Sequence, residues 1–376
     1  MMPKVPTSLT SALFMGLRIA DAPAMADHLR FAKLRQRYYD LFWNRVAGEI
    51  GADIRKWDMG FRRLTRNGLS VLVHAADLGL DSHLTLKLMG NKAMTYELMA
   101  EQGVVVPRHV RFSVTNLSPA RSLLAASQRP LVVKPNSGTG GGRGVTTGII
   151  TPGELRRAAF WAARFDTDLI AEEQVEGHSY RVLVLDGMFV DAIRRDPPRV
   201  TGDGRRTIAQ LMRDETQHRL KAAPFTALSP LRLDRDAANF LTAQMLSPRT
   251  VPEDGEIVIV KRAANENSAA ENVVVTDKIH PSTVAACTAL AANLGVRLAG
   301  IDIIARDIAR PLGAGNGLIG EINTTPGLHH HDLISSPRPE PSVASRVINH
   351  MFERGAGIIR HPVEASPPSA LKVAAE

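Results

Sequence analysis

The stretch Leu131-Val132-Val133-Lys134-Pro135-Asn136-Ser137-Gly138-Thr139-Gly140-Gly141-Gly142-Arg143-Gly144-Val145 reads as a strand, a basic glycine loop and a returning strand. β-Branched residues on both flanks favour extended backbone, and Pro135 closes the first run. Glycines lack Cβ, so backbone N–H groups in such a loop turn toward an anion and approach it closely. Lys134 adds a point charge suited to phosphate. A plain flexible hairpin would use the same residues, so the loop alone decides nothing. It is not a P-loop, because no Gly-Lys-Ser/Thr ends it. It also joins strand to strand, unlike the strand-to-helix loop of a dinucleotide fold.

Working outward, the 376 residues are 44% hydrophobic and 22% charged, an ordinary globular composition with room for about two or three domains. The net charge of +8 suits an anionic partner. Its basic residues are spread along the chain, and aromatic content of 5% leaves few stacking platforms, which argues against nucleic acid. No run approaches the length of a membrane span. Lys4, the apolar stretch 12–17 and Ala22-Pro23-Ala24 loosely imitate a signal peptide, but Arg18 and Asp21 interrupt it. An amphipathic N-terminal segment and a cytoplasmic location are expected instead. A lone cysteine, Cys287, excludes an internal disulfide and suits a reducing compartment. Its apolar neighbours make it a buried hydrophobe rather than a nucleophile.

Apolar spacing over 27–44 predicts an amphipathic helix, 69–73 a strand, and 81–88 a turn, together forming a small N-terminal α/β domain over 1–90. Asn91 caps a helix entered at Lys92, and Gly103 ends it. Pro152 starts another helix, and 169–173 is a strand. Asp186-Gly187 joins strands 180–185 and 189–194 as a tight hairpin. Helices are expected from Thr207, over 220–250, over 281–294 and over 341–353, and strands over 257–260, 297–305 and 317–323. The Ala/Pro/Ser-rich end reads as a disordered tail over 356–376.

Two of these strands carry the chemistry. One holds Gly300-Ile301-Asp302; the next holds Gly320-Glu321-Ile322-Asn323. Glu321 and Asn323 share a side, because strand side chains alternate. Two carboxylates and an amide oxygen are hard ligands suited to Mg²⁺. Incidental acids on a surface turn are the plain alternative; apolar flanks speak against it, since a buried acid needs a partner or a metal. In His329-His330-His331 the consecutive side chains diverge, which disfavours a shared zinc site; one histidine lining a substrate pocket is the preferred reading, and plain solvent-facing histidines are the alternative.

Lys92 opening a helix, Lys134 before the glycine loop, Glu172-Glu173 with Val175 and Gly177, Asp302, and Glu321-x-Asn323 occur in an order that resembles an ATP-grasp ligase over 90–335. Within that superfamily, Gly177-His178-Ser179-Tyr180-Arg181, the run 194–204, Lys261-Arg262-Ala263-Ala264-Asn265 and Val275-Thr276-Asp277 resemble the ATP-grasp portion of cyanophycin synthetases, and more distantly D-alanine–D-alanine ligases. The resemblance implies an α+β fold. Two subdomains, 91–172 with the glycine loop and 173–355 with the metal site, would clasp ATP between antiparallel sheets. Lys92, Lys134, Gly138, Gly140, Gly141, Gly142, Gly144, Glu172, Glu173, Val175 and Ser179 would contact ATP. Asp302, Glu321 and Asn323 would hold two Mg²⁺ ions, for which Mn²⁺ can substitute. Arg194 and Arg262 would stabilise the reacting acyl group, and Arg181, Asn265, Gly327 and His329 would bind the amino-acid or peptide substrate.

The implied reaction is phosphorylation of a carboxylate by ATP, followed by attack of an amine to give an amide, ADP and phosphate. Neither nucleic acid nor membrane is an expected partner, and the resemblance allows a homodimer. There are departures. Ser179 stands where many relatives carry a ribose-binding acid, the loop holds an extra glycine, and Ala269-Ala270 replaces a glycine pair. The sequence ends where cyanophycin synthetases continue into a second ATP-dependent domain of the Mur-ligase type, so a single ligation is expected. A small-molecule kinase on the same fold, and a non-catalytic binder of nucleic acid or membrane surface, are the rival readings.

Overall fold

A computed structural model describes residues 22–138, 142–221, 226–313, 315–337 and 339–360. Expectations for the first 21 residues, for Gly140 and Gly141, and for the tail beyond 360 lie outside the described residues. Helix α1 (Ala22–Glu49) leads into a meander of β1 (Asp53–Lys56), β2 (Phe61–Arg66) and β3 (Leu69–His74). Next come α2 (His83–Met89), where the sequence reading expected a turn, and α3 (Lys92–Glu101). Ser82 starts α2 by accepting a 3.1 Å bond from Thr85 N.

A second sheet is built from β4 (His109–Phe112), β5 (Leu131–Pro135), β6 (Thr146–Ile149) and β7 (Leu169–Glu173), with α4 (Ser118–Ala126) and α5 (Pro152–Ala162) on it. Its order is β4-β7-β5-β6, antiparallel throughout. Then β8 (His178–Leu185) and β9 (Met188–Arg195) form the expected hairpin at Asp186-Gly187. An insertion follows with β10 (Arg199–Thr201), α6 (Ile208–Arg219), α7 (Arg235–Ala243) and β11 (Ile257–Ile259). The helix expected over 220–250 shrinks to α7, because Pro230 and Pro248 bar helical backbone on either side.

The large sheet is completed by β12 (Asn272–Val274), α8 (Pro281–Asn293) packed against it, β13 (Leu298–Ala305) and β14 (Gly317–Thr324). Its order is β12-β9-β8-β13-β14, again antiparallel. Finally α9 (Val343–Arg354) precedes β15 (Ile358–Arg360), which pairs with β3. The tail expected from 356 therefore starts too early: Ile358 and Ile359 continue a β-branched pair against Val71 and Ser70.

The large sheet has two different faces. Tyr180, Val182, Val184, Ile301, Ile303 and Ile322 pack under α3 and α8, burying Met99, Cys287 and Leu290. On the other face, Leu183, Leu185 and Leu298 are covered by Trp43 and Val46 of α1 and by Val347 and Met351 of α9. That second face turns polar toward the opposite ends of its strands, where Arg181 and Asp302 replace leucine. The alternation rule thus leaves one polar corner on an otherwise apolar face.

Candidate active site

Residues Arg181, Asp302 and Glu321 lie in one cross-strand row, Arg181 opposite Asp302 on β8–β13 and Asp302 opposite Glu321 on β13–β14. Arg181 holds Asp302 through two parallel contacts, Nε to Oδ1 and Nη2 to Oδ2, the latter at 2.9 Å. Asn323 Nδ2 donates to the same Oδ2 at 3.1 Å. Gly300 is what lets Arg181 lie flat here: a Cβ at that position would stand 3.2 Å from Arg181 Cδ and 2.7 Å from Pro326 Cβ.

Helix α3 brings a cation to Glu321. Its start is pinned by Asn91, which accepts from Met94 N at 3.1 Å, and by Asn136 just beyond β5, whose Oδ1 accepts from Ala93 N at 3.0 Å. Lys92 then reaches Glu321 Oε1 at 3.1 Å. One turn on, Tyr96 accepts from Lys134 Nζ at 3.0 Å and donates to Glu172 Oε2 at 2.7 Å. Lys134 also donates to Glu172 Oε1 at 2.8 Å. Burial alone would raise the Glu321 carboxyl, but the charges of Lys92, Lys134 and Arg181 outweigh it and hold the group below its usual range. Burial, reinforced by Glu172, pushes the Tyr96 phenol well up, so it stays a neutral donor. Cations from the small sheet and from α3 therefore face the acids of the large sheet across one cleft.

Arg195, on β9, shares the face of Arg181, because it pairs with Ser179 two residues away. It is buried, and its Nη2 donates to Ala264 O at 3.1 Å. Burial and the neighbouring Arg181 bring it down to about 10. Its Nε is covered without a hydrogen-bond partner among the described residues. A buried guanidinium with no carboxylate bond of its own is a ready anion site.

No family model matches the chain. Cyanophycin synthetase of Geminocystis herdmanii is 32% identical to it over 273 residues, 72% of this chain and 31% of that protein. The glutathione biosynthesis bifunctional protein GshAB of Clostridium perfringens is 29% identical over 258 residues, 67% of this chain and 32% of that one. A crystal structure of a bifunctional glutathione synthetase from Pasteurella multocida superposes with a TM-score of 0.51 at 23% identity, covering 81% of this chain and 42% of that one. The chain has the ATP-grasp fold and is related to the ATP-grasp ligases. It spans about a third of the length of the curated relatives named above.

These contacts bring Lys92, Lys134, Glu172, Arg181, Asp302, Glu321 and Asn323 together, and Ser179 stands two residues before Arg181 on the same strand face. At the loop, Gly142 has φ +67° and lies against Asn265, so that a Cβ would stand 2.6 Å from Asn265 Cγ. Gly138 and Gly144 also have positive φ, and Val175 is half-buried between β7 and β8.

Other expected residues sit elsewhere. Glu173 alternates away from Glu172 and pairs with Arg108 at 3.5 Å. Arg194 points to the opposite face of the sheet, opposite Tyr180, and pairs with Asp196 at 2.8 Å. Arg262 meets Glu176 at 3.3 Å and stacks over Phe240. Gly327 precedes the turn Leu328–His331, where His329 is buried with Nδ1 2.8 Å from Tyr39 Oη; it is a packed residue, not a pocket wall. Sequence reasoning missed Tyr96 and Arg195. Tyr96 was findable, since it stands four residues beyond Lys92 and shares its helix face.

Asp302, Glu321 and Asn323 fit a hard divalent cation. The acids are cross-strand neighbours, and Asn323 Oδ1 has no hydrogen bond among the described residues. No cluster of three or more His, Cys, Asp or Glu ligands gathers among the described residues, so an amide and ligand oxygens would complete the set.

Proposed function

We propose that this chain is an ATP-dependent carboxylate–amine ligase that joins amino acids, or adds one to a peptide, through an acyl phosphate with release of ADP and phosphate. The observation that carries the reading is the meeting of Lys92 and Lys134 with Glu321 and Asp302 in one cleft between two antiparallel sheets. Lys134, held by Tyr96 and Glu172, is placed to neutralise phosphate oxygens. Gly142, packed on Asn265, supports a loop that contacts phosphate through its backbone N–H groups and helps keep water from a labile acyl phosphate. Arg181 and Arg195 then stabilise charge on the acyl carbon's oxygens, the role the sequence reading assigned to Arg194 and Arg262. Asp302, Glu321 and Asn323 would hold Mg²⁺, which would supply charge neutralisation for the phosphoryl group being transferred.

The test is a screen of amino-acid pairs for phosphate release with ATP and Mg²⁺, followed by mass spectrometry of the products. Release that needs both an acid and an amine supports the ligase. A stable phosphorylated product formed without amine would make it a kinase. Glu321→Gln should reduce turnover at least ~100-fold while leaving the circular dichroism spectrum unchanged; a fully active variant would remove Glu321 from the site.

A further inference from the structure

The turn Leu328–His331 presents three successive histidines to three different surroundings. His329 is bonded to Tyr39, and His331 Nδ1 sits 2.6 Å from Asp191 Oδ2. His330 is half-buried, stacked on His329 with ring centroids 4.1 Å apart, and neither ring nitrogen has a hydrogen-bond partner among the described residues. Its Nδ1 is covered, which leaves Nε2 as the atom open to a ligand. We infer that His330 is the base that takes the proton from the incoming amine, and that it becomes competent when an anion occupies Arg181 and Arg195. This deepens the ligase reading and rests on it.

The turn lies against the arginine row: a Cβ on Gly327 would stand 3.3 Å from His330 Cδ2, and one on Gly300 would stand 2.7 Å from Pro326 Cβ and 3.3 Å from Arg181 Nη1. The leading charged and titratable groups acting on His330 are Arg181 from β8, Arg195 from β9, and His329 and His331 from its own turn. Burial, then His329 and the two arginines, holds its imidazole well below the ordinary value, so it is neutral before substrate binds. In that state it is a weak base. A phosphorylated carboxylate on Arg181 and Arg195 cancels the repulsion and lifts the ring toward the working pH, where proton transfer is efficient. The step balances. The ammonium gives one proton to His330 Nε2, and the freed lone pair attacks the acyl carbon. A C–N bond forms, the C–O bond to phosphate breaks, and departing phosphate takes the second nitrogen-bound proton. The imidazolium then returns its proton to water. Coupling the base to the anion keeps the amine inactive until the acid has been activated.

The experiment compares two nucleophiles on the full chain: the acceptor amine found by the phosphate-release screen, and hydroxylamine, which is largely unprotonated at neutral pH and needs no base. For His330→Asn and His330→Gln, the rate with the acceptor amine should fall ~10²–10⁴-fold, while hydroxamate formation stays within about tenfold of wild type. The residual amine rate of the variants should climb with pH, as the amine loses its own proton. Equal losses with both nucleophiles would mean a structural role, and no loss with either would mean no role; each overturns the inference. Failure of the wild-type chain to form hydroxamate from any acid would instead overturn the ligase reading and this inference with it.

Discussion

Arg181→Met removes the cation at the centre of the cross-strand row. The side chain of Arg181 is 11% exposed and that of Asp302 is 25% exposed, so the pair is neither a surface bridge nor fully dry. Breaking a buried pair costs about 3–5 kcal/mol, because the remaining charge is stranded. Asp302 keeps one bond from Asn323 Nδ2 and gains water through its open quarter, so ~2–3 kcal/mol is expected for Arg181→Met. Asp302→Asn strands Arg181 instead, but Glu321 still acts on it, so ~2 kcal/mol is expected. The double variant strands nothing and should unfold within about 1 kcal/mol of wild type, giving a coupling energy of ~3 kcal/mol. Urea unfolding at pH 7 measures all four proteins, and phosphate release measures their turnover. Stability should return in the double variant while turnover does not. Additive losses in stability would show that the pair is not desolvated, and a double variant with restored turnover would remove the row from the site.

Arg195→Gln should lower turnover ~100-fold or more, whereas Arg194→Gln should stay within about threefold, measured by phosphate release; the reverse order would put Arg194 in the site. Gly142→Ala combines φ +67° with a Cβ 2.6 Å from Asn265 Cγ, so kcat should fall about tenfold with little change in unfolding midpoint. Glu49 ties α1 to α9 by accepting from Ser342 Oγ at 2.6 Å and Ser345 Oγ at 2.5 Å. Burial would raise its carboxyl, but these bonds and Arg45 bring it down to about 2. A depressed pKa stabilises the fold above the ordinary value of 4.5 and loses that contribution as pH falls through about 2. Glu49→Gln should therefore cost ~1–2 kcal/mol at pH 7, after allowing for its partial exposure, and the difference in unfolding should disappear near pH 2. Burial pushes the Cys287 thiol up to about 12, so iodoacetamide should label it only when the chain unfolds.

Much of the site could be read from local chemistry. The strand ending at Lys134, the cap at Asn91 and the parity of Glu321 with Asn323 are set within a few residues, and each stands where the sequence puts it. What local chemistry does not carry is contact across the cleft. That Tyr96 bridges Lys134 and Glu172 depends on α3 docking against β5, which Asn136 arranges from 43 residues away. That His329 is packed away and His330 open depends on Tyr39, which α1 delivers from the far end of the chain.

The exchange of Arg195 for Arg194 has a more exact cause, and it is a matter of counting. Starting from Asp186-Gly187 and pairing Leu185 with Met188, an unbroken hairpin would set Ser179 opposite Arg194 and place that arginine beside Arg181. The actual register runs Val184 opposite Phe189 and then Leu183 opposite Asp191. Val190 is the extra residue, a β-bulge that turns partly into the core under α1 and α9. One inserted residue reverses the face of everything beyond it. It carries Arg194 to the far side, where Asp196 pairs with it, and brings Arg195 and Asp191 to the near side, where Asp191 holds His331. A sequence of β-branched and apolar residues gives no local sign of such a bulge, since Phe189, Val190 and Ala192 suit either face. The arginine with no carboxylate bond among the described residues and the buried Asp191–His331 pair both follow from that single slip.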